Sequence, residues 1–522
     1  MSERIGIIDL GSNSARLVIF HIYHNSAYNL VYEQKESVRL SEGTDHTGML
    51  QADTMEFALE TLRIFADTCR RYDVGAKIAV ATAAVRNAVN GQEFLKRVQA
   101  ETGFTFDLLS GTEEAYYGFL GIINTLPEEN FLQFDLGGGS IELAWVKNRQ
   151  IQESISLPFG SVNTTEKFQT QDQINPKSLE ELQKFMQKEL GSIPWLKKAK
   201  GLPLVGTGGT IRTIAKIDQR RKKYPFPKLH NYRMGAISYS EIWKEMIQSN
   251  LKERKKISGL GSDRADIIVA GSTIIMALLD IIKAPNLVIS GCGVRDGIFF
   301  DYYRKMEKKD VVIPDILAHS TRNMLNFYKA DEEHAHQVES LSLDIFDTLR
   351  DRSEFTSRDR KLLSVASQLH DIGITINYYD HARHSAYLVE NARLYGLSHR
   401  EQMICAVLVA WHGGSRTKQV RRYYGQFLDE SDWQRSRRMG LILALGEAME
   451  FTQSGIVLGL REKLIGDLLK IRMICRVHPE QELRVMAPII SALEKEMNIK
   501  IELKIEIIQE RSTTGETTRL LN

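Results

Sequence analysis

The segment QFDLGGGSIELAW (133–145) sets three glycines between Asp135 and Glu142, with apolar residues on both sides. The apolar flanks predict two antiparallel strands, and the glycines form the tight turn that joins them. Such a turn presents backbone N–H groups with no side chain in the way, which suits a phosphate group. The two carboxylates stand at the shoulders of the turn, where they are suited to hold a hard cation. A glycine-rich hairpin with two solvated acids is the alternative interpretation.

The same pattern opens the chain in RIGIIDLGSNSARLVIFHI (4–22). A predicted strand ends at Asp9, a turn of small residues follows, and a second strand begins at Ala15. One pattern therefore occurs at Asp9 and again at Asp135: an apolar residue, aspartate, an apolar residue, glycine and two small residues. This repetition indicates an internal duplication, in which two half-domains are built alike.

Two further glycine turns lie in VGTGGTIRTIA (205–215) and NLVISGCGVRDG (286–297), each between an apolar strand and a helical pattern. Strands that alternate with helices predict an α/β organisation in both halves. None of these turns has the Walker A pattern GxxxxGK[ST], and GCGVRDG is a weak match to a dinucleotide fingerprint.

The segment DLLSGTEEAYYGFLG carries two adjacent glutamates with different expected roles. Ser110 fits a helix N-cap and Glu113 has the spacing of a capping box, which leaves Glu114 without a structural duty. Glu114 is either a general base that activates water beside a phosphate or a carboxylate favoured by the helix dipole. Arg86, in ATAAVRNA, either neutralises phosphate oxygens through a bidentate contact or is a surface arginine.

Histidines and acids in the later, helical part of the chain suggest a second site. A His-Asp pair with an upstream histidine is typical of a metal phosphohydrolase of the HD type, with His334, His370 and Asp371 as ligands. Such a site needs a carboxylate from a late helix, and Glu447 and Glu450 stand where aspartates are common. Because a longer side chain changes the reach of the ligand, we expect a retained fold with an impaired or absent metal site.

Composition places the chain among ordinary multidomain proteins of the cytoplasm. Its 522 residues are too many for one core and predict about three to four domains. The chain has no apolar run long enough for a membrane span and no signal-peptide pattern. The four cysteines have no CxxC spacing, which fits a reducing compartment. A net charge of +2 still permits local basic patches, such as QRRKKY and KERKK, which either touch a polyanion or are solvated faces.

Changes of pattern along the chain predict the domain boundaries. The charged segment after Gly297 ends at Pro314 and predicts a linker, and apolar alternation around a helix at about 485–497 predicts a small α+β domain. The last dozen residues are expected to be frayed. The predicted division is a first α/β domain at 1–125, a second at 126–300, a linker at 301–314, an all-α domain at 315–455 and the α+β domain at 456–522.

Four spaced motifs together make the chain resemble the exopolyphosphatase / guanosine pentaphosphate phosphatase family. They are DLGSNS from Asp9, SGTEEA from Ser110, DLGGGSIE from Asp135 and GTGGT from Gly206, supported by GLGSDRADIIVAG (259–271). The resemblance covers residues 1–300 and extends to 315–455 through the HD-like helical domain of long members. It implies two ribonuclease-H-like domains of the actin / sugar kinase / heat-shock ATPase type, with the active site in the cleft between them.

The resemblance also implies a role for individual residues. Glu114 matches the catalytic base, Arg86 an arginine that faces the phosphate, and Asp135 and Glu142 the magnesium-associated acids, to which we add Asp9 as a metal ligand. The phosphate loops match three runs, which are Gly11, Ser12, Asn13 and Ser14; Gly137, Gly138, Gly139 and Ser140; and Gly206, Thr207, Gly208, Gly209 and Thr210.

From the resemblance we expect a cytoplasmic exopolyphosphatase that removes terminal phosphates of inorganic polyphosphate processively with Mg²⁺. We expect a homodimer that has no nucleic-acid partner and no integral membrane contact. The linker and the helical domain, with RTKQVRRYYG (416–425), are expected to supply a basic track for the polyanion. Four alternatives stay open, which are a pppGpp 5′-phosphatase, an ATP-dependent kinase or actin-like ATPase, a non-catalytic alarmone or polyphosphate sensor, and an HD phosphohydrolase.

Overall fold

The computed structural model describes residues 2–43, 48–412, 420–422 and 425–508. The chain divides into two compact units, Met1–Ile316 and Leu317–Asn522. Within the described ranges, every helix is too short or too polar to span a membrane.

The first sheet of unit 1 has five strands in the order β3-β2-β1-β4-β5. Strands β1 to β3 form an antiparallel meander, and β4 and β5 add in parallel beside β1. The strands are β1 (Glu3–Leu10), β2 (Ala15–Ile22), β3 (Tyr28–Glu36), β4 (Ala76–Ala81) and β5 (Phe106–Leu108), and the helices of this part are Ala52–Arg71, Ala83–Asn87, Gly91–Thr102 and Gly111–Ile123.

The second sheet has six strands in the order β10-β11-β9-β6-β7-β8. Its strands are β6 (Phe131–Leu136), β7 (Ile141–Lys147), β8 (Gln150–Leu157), β9 (Leu204–Gly208), β10 (Tyr232–Gly235) and β11 (Asn286–Ile289). The α-helices around it are Ser161–Phe168, Pro176–Gly191, Gly209–Arg221, Ala236–Gln248, Leu251–Arg254, Ile268–Ile282 and Val294–Met306, with 3₁₀ turns at Pro194–Ala199 and Ser262–Arg264.

The two sheets repeat one plan, which confirms the duplication predicted from the sequence. In each, an antiparallel three-stranded meander is followed by parallel strands, so β6, β7, β8, β9 and β11 correspond to β1, β2, β3, β4 and β5. This is the strand order of the ribonuclease-H-like domain, and each sheet has its own hydrophobic core. The predicted α/β class with two ribonuclease-H-like domains is therefore correct.

The helix Val294–Met306 crosses the predicted boundary between the second domain and the linker. It packs against the helix Gly111–Ile123, and its Phe299 ring stacks on Phe20 of the first sheet with centroids 4.0 Å apart. Glycines allow the close approach, since a Cβ on Gly297 would lie 1.8 Å from the Tyr117 carbonyl oxygen. This contact fixes the helix that carries Glu114.

Unit 2 is helical and ends in a small sheet, as the predicted fold class has it. Its α-helices are Ile316–Tyr328, Glu332–Leu349, Ser357–Leu369, His381–Asn391, His399–His412 and Glu430–Met449, with a 3₁₀ turn at Ile372–Thr375. A three-stranded sheet follows, made of β12 (Val457–Ile465), β13 (Leu468–Cys475) and β14 (Lys500–Ile507). The helix beside it, Glu480–Met497, begins five residues before its predicted start.

Two predictions fall partly or wholly on residues outside the described ranges. The frayed C-terminal end lies at 509–522, beyond the last described residue. In the predicted basic track, 416–419 and 423–424 also lie outside the described part. Within it, Arg421 forms an ion pair with Glu430, and its guanidinium carbon lies 5.9 Å from the centre of the Trp433 ring.

Candidate active site

The glycine turns of both sheets meet at one cavity of about 150 Å³ in unit 1. The predicted site residues in its wall are Asp9, Gly11, Ser12, Asn13, Ser14, Glu114, Asp135, Gly137, Gly138, Ser140, Glu142, Thr207, Gly208 and Gly209. Four predicted residues are not part of the wall, namely Gly139, Gly206, Thr210 and Arg86. The structure thus gathers residues that are up to about 200 positions apart in the sequence.

The β1–β2 and β6–β7 hairpins present the same turn to the cavity. The Gly11 N–H donates to the Ser14 carbonyl at 3.1 Å, and the Gly137 N–H donates to the Ser140 carbonyl at 3.0 Å. Within the described residues, the two N–H groups at the tip of each turn, at 12–13 and at 138–139, donate no hydrogen bond. Paired N–H groups of this kind form a concave anion site.

The side chains at the shoulders of the two hairpins differ in charge. Asp9 lies directly opposite Arg16 across β1 and β2, whereas Asp135 lies directly opposite Glu142 across β6 and β7. Residues opposite each other in an antiparallel pair share one face of the sheet, and two like charges there are destabilising. The Glu142 carboxylate accepts a hydrogen bond from Ser156 at 2.8 Å.

The tips of the two hairpins touch. A Cβ on Gly138 would lie 3.3 Å from the Ser12 Cβ, and one on Gly139 would lie 3.2 Å from the Ser12 hydroxyl. Gly139 therefore serves the contact between the turns. Behind them, a Cβ on Gly160 would lie 2.5 Å from the Gly138 carbonyl carbon, so only glycine lets the next segment approach the turn.

The third glycine run divides between packing and the cavity wall. A Cβ on Gly206 would lie 2.3 Å from the Phe134 ring, so Gly206 makes room for this core side chain. Thr210 is buried against Gly271. Gly208 lines the cavity with a φ of +99°, a conformation that favours glycine.

The helix Gly111–Ile123 begins as its sequence predicts and aims Glu114 into the cavity. The Ser110 hydroxyl accepts from the Glu113 N–H at 3.3 Å, and the Glu113 carboxylate accepts from the Ser110 N–H at 2.7 Å, which completes a capping box. Glu114 is buried, and its Oε1 accepts a hydrogen bond from Arg86 Nη1 at 2.5 Å. Arg86 also donates to the Leu109 carbonyl. Arg86 therefore holds the Glu114 carboxylate in place.

Burial and mutual repulsion raise the pKa values of the cleft acids. Burial raises the pKa of Glu114 to about 7, against the opposing effect of Arg86. Burial raises the pKa of Glu142 well above its ordinary value, and the charges of Glu114 and Asp135 add to this rise. The pKa values of Asp9 and Asp135 are also raised, chiefly by burial. A carboxylate with a pKa near neutrality is suited to act as a general base.

Four arginines that the sequence analysis missed line the same cavity, namely Arg16, Arg212, Arg264 and Arg295. The Arg212 Nε donates to the Gly208 carbonyl at 3.0 Å, and Arg295 lies 3.8 Å from Asp9. The guanidinium of Arg264 lies against Gly209, where a Cβ would come within 2.2 Å of it. Acids of the same wall offset part of this positive charge, and guanidinium groups also suit phosphate oxygens.

A signal for each of these four arginines was present in the sequence. Arg16 and Arg212 each follow a glycine turn by a few residues, and Arg295 lies within GCGVRDG. Arg264 lies in the GLGSDRADIIVAG segment. That all four line one cavity depends on the packing of four separate segments, which no local sequence pattern predicts.

The acids of the cleft fit a magnesium ion in chemistry, since Asp9, Asp135 and Glu142 offer hard carboxylate oxygens. A bound cation would also offset the repulsion that raises their pKa values. They do not form a compact group of three donors within 4.8 Å in the described part of the chain. Mg²⁺ usually keeps several waters and takes one or two carboxylates together with substrate phosphates, so a spread set of acids suits it.

The second predicted site lies in unit 2, and the structure brings Glu447 together with the predicted ligands, while the expected impairment of metal binding stays a prediction. One ligand atom from each of His334, His370, Asp371 and Glu447 lies within 4.8 Å of the others. The Glu447 Oε2 lies 2.7 Å from His370 Nε2. The longer side chain reaches the cluster because its helix, Glu430–Met449, packs against Glu332–Leu349, the helix that carries His334.

Comparisons with known proteins connect both units to one family. The sequence model of the Ppx/GppA phosphatase family matches residues 18–306, and the model of Ppx/GppA phosphatase domain III matches residues 316–458. A crystal structure of an exopolyphosphatase from Cytophaga hutchinsonii shares the fold at 24% identity, with a TM-score of 0.55 over 60% of this chain and 100% of that one.

Two solved structures of Aquifex aeolicus proteins are similar to this chain at higher sequence identity. The Ppx/GppA family member has 30% identity and a TM-score of 0.51, over 59% of this chain and 99% of its own. The structure of the PPX-GPPA enzyme of the same organism has 31% identity and a TM-score of 0.50, over 57% of this chain and 99% of its own.

Proposed function

This chain belongs to the Ppx/GppA phosphatase family, and we propose that it is an exopolyphosphatase that uses Mg²⁺. The observation that carries the proposal is the composition of the cavity wall. Buried acids, four arginines and two N–H turns surround a space of about 150 Å³, which suits the end of a phosphate chain. Ligand pockets for drug-sized molecules are about 300–1,000 Å³.

The cavity wall also favours a plain phosphate chain over a nucleotide. No aromatic ring lines the cavity among the residues that the structure describes. Proteins that bind nucleobases commonly stack them on aromatic side chains. The terminal phosphates would therefore enter the cavity, while the remainder of the substrate would lie outside it. The same observation speaks against a kinase or an actin-like ATPase, which would need an adenosine pocket.

Glu114 would act as the general base. An attacking water gives one proton to the Glu114 carboxylate while its oxygen forms a bond with the terminal phosphorus. The bond from that phosphorus to the bridging oxygen breaks, and the electron pair stays on the shortened polyphosphate. The product is one orthophosphate and a chain that is shorter by one residue. Arg86 would keep the Glu114 carboxylate aimed at the water through their 2.5 Å hydrogen bond.

The remaining residues would bind the substrate and offset its charge. The tip N–H groups of the two hairpins would donate to terminal phosphate oxygens, and Arg212 and Arg264 would neutralise charge near the leaving oxygen. When bound, Mg²⁺ would neutralise charge on the phosphate oxygens, and Asp135, Glu142 and Asp9 are the residues that would hold it. Homodimer formation and the basic track stay predictions beside this proposal.

Phosphate release from several substrates tests the proposal. The purified chain is incubated with Mg²⁺ and long-chain polyphosphate, with tripolyphosphate, or with pppGpp, and orthophosphate is measured over time. A Glu114→Gln preparation, purified in parallel, controls for contaminating phosphatases. We expect kcat/KM for long-chain polyphosphate to exceed that for pppGpp at least tenfold. Faster release from pppGpp would make the protein a pppGpp 5′-phosphatase, and tight binding without release from any substrate would make it a sensor.

A further inference from the structure

A second cavity of unit 1, of about 490 Å³, shares two helices with the candidate active site but none of its lining residues. Its wall includes Tyr117, which follows Glu114 by three residues in the helix Gly111–Ile123. The helix Val294–Met306 supplies a further part of the wall. Pockets for small organic ligands are commonly about 300–1,000 Å³, so this cavity is large enough for such a molecule.

One face of a helix and one face of the first sheet form the cavity. The wall residues of Val294–Met306 recur at helical spacing and therefore share one face of the helix, at positions 298, 301, 302, 305 and 306. Ile78 and Val80 alternate along β4, and Val80 pairs with Asp107 of β5. Strand β5 has three residues and is the last strand of its sheet, so the sheet ends beside the cavity.

Apolar and aromatic side chains supply much of the wall. Met306, at the end of its helix, is 42% exposed, which places an opening of the cavity there. The rings of Tyr117 and Tyr302 also belong to the wall, and the Tyr302 hydroxyl donates to Glu3 at 3.0 Å. Such a wall suits the apolar body of a ligand. The aliphatic members are Ile78, Val80, Leu109, Ile298 and Met306.

The charged groups of the wall favour a cation. Within the described residues, they are Asp107, Asp301 and Lys305, and the Lys305 Nζ lies 2.8 Å from Asp301. The wall therefore carries more negative than positive charge, and its lysine is already paired. Burial raises the pKa of Tyr117, and the charge of Asp301 adds more to this rise than Lys305 takes away. An ammonium group pairs with carboxylates and is attracted to the faces of tyrosine rings.

The cavity also touches the groups that hold the proposed catalytic base. Leu109 lies in its wall, and the Leu109 carbonyl accepts a hydrogen bond from Arg86, which donates to Glu114 as well. The helix Val294–Met306 carries Arg295 of the cleft in its first turn. A molecule that displaced Leu109 would therefore change the position of Arg86 and of the carboxylate that Arg86 holds.

We propose that this cavity binds an aromatic molecule with an ammonium group, and that its occupancy lowers the rate of phosphate release. The aromatic body packs among the aliphatic side chains, and the ammonium group lies near Asp107 and the tyrosine rings. The hydrogen bond from Arg86 aims Glu114, so a shift of Leu109 weakens this alignment. The effect on the rate rests on the proposed function, whereas binding does not.

Binding of dansyl compounds to the full chain tests the proposal, because dansyl fluorescence rises and shifts to shorter wavelength in an apolar site. Dansylcadaverine carries an ammonium group, dansylamide is neutral and dansylglycine is anionic, while the aromatic body is the same. Each compound is titrated against the purified protein in excess Mg²⁺, which occupies carboxylates of the cleft. We expect dansylcadaverine to bind about tenfold more tightly than dansylamide, and dansylglycine to bind most weakly.

Charge variants of the wall locate the site. Asp107→Lys should raise the Kd for dansylcadaverine about tenfold, whereas Lys305→Gln, which frees Asp301 from its partner, should lower it about threefold. Both altered side chains are exposed, and changes of opposite sign exclude a general loss of fold. Glu60→Gln, at an exposed acid outside the wall, and Glu142→Gln, in the cleft, should leave the Kd within about twofold. The proposal is overturned if dansylcadaverine does not bind, if dansylamide binds equally well, or if neither wall variant changes the Kd.

Phosphate release measures the effect on the rate. Because polyphosphate itself binds cations, the native chain and Asp107→Lys are compared at the same concentration of dansylcadaverine. We expect kcat of the native chain to fall at least about twofold and that of the variant to stay nearly unchanged. Equal falls would overturn the effect on the rate. A native chain that releases no phosphate even without dansylcadaverine would count against the proposed function, and the fluorescence titration decides the binding site independently.

Discussion

The β1–β2 and β6–β7 hairpins have the same shape and carry opposite charges at one position. In each, an aspartate precedes the turn, the same hydrogen bond closes it, and a charged residue stands seven positions after the aspartate. That residue is Arg16 in the first hairpin and Glu142 in the second, and each lies directly opposite its aspartate. Duplication therefore supplied two turns of one shape, which differ in charge at this position.

The first hairpin has positive charge beside its aspartate, because Arg16 lies opposite Asp9 and Arg295 lies 3.8 Å from it. The second has two facing carboxylates, with Glu114 as a further source of repulsion. Such an arrangement is destabilising in isolation and is relieved by a cation. We infer that the first hairpin mainly holds phosphate and the second mainly holds the metal ion.

The largest expected effect is the difference in kcat between variants of Asp135 and of Asp9. We predict that Asp135→Asn lowers kcat for phosphate release about 10³-fold, because it removes a carboxylate that would hold Mg²⁺ beside the reacting phosphate. The matched change Asp9→Asn should lower kcat only about tenfold, since arginines already offset that charge. A Mg²⁺ titration of both variants should show the larger rise in half-saturating concentration for Asp135→Asn. Equal losses of kcat in the two variants would contradict the inference that the two hairpins have different roles.

The arginine of the first hairpin should act on substrate binding. We predict that Arg16→Gln raises KM for polyphosphate about tenfold, because one charge-assisted contact to phosphate contributes about 1.5–3 kcal/mol. Arg4→Gln, on the neighbouring strand β1, is the control, since Arg4 donates to the Tyr72 carbonyl and is not part of the cavity wall. A kcat loss at unchanged KM would assign Arg16 a role in the reaction step.

The acid limb of the pH profile of kcat/KM should reflect the protonation of Glu114. The pKa of Glu114 is raised to about 7, so the base is protonated below that pH and kcat/KM should fall about tenfold for each further unit. Arg86→Lys should move this limb, because the hydrogen bond from Arg86 favours the charged carboxylate. A profile that is flat between pH 5 and 7 would contradict the role of Glu114 as the base.

The smallest effect is a gain in stability. The folded pKa of Glu142 is raised, so above the ordinary value of 4.5 the folded state binds more protons than the unfolded state. The free energy of unfolding therefore falls as pH rises. We predict that Glu142→Gln raises Tm by a few degrees in metal-free buffer, with a larger gain at pH 8 than at pH 5. Thermal unfolding followed by circular dichroism measures this, and an unchanged or lower Tm would show that the facing carboxylates cause no repulsion.

Local patterns were sufficient for the parts of the site that one segment builds. The hairpin turns and the capping box at Ser110 depend on neighbouring residue types, and the structure has both. The packing of Gly206 against Phe134 was not predictable from a local pattern, since Phe134 lies on another strand. The place of the Glu447 carboxylate beside His334 and His370 was not predictable for a similar reason, because helix packing sets where it lies. The gathering of four arginines also depends on tertiary structure alone.

Glu114→Gln is the most direct test of the proposed mechanism. Single-turnover phosphate release and equilibrium binding of polyphosphate are measured for this variant and for Glu113→Gln, which keeps the capping box and differs by one position. We predict that Glu114→Gln loses about 10³-fold or more in rate at an unchanged Kd, while Glu113→Gln stays within about threefold of the native rate. A Glu114→Gln rate within tenfold of the native rate would show that another group activates the water.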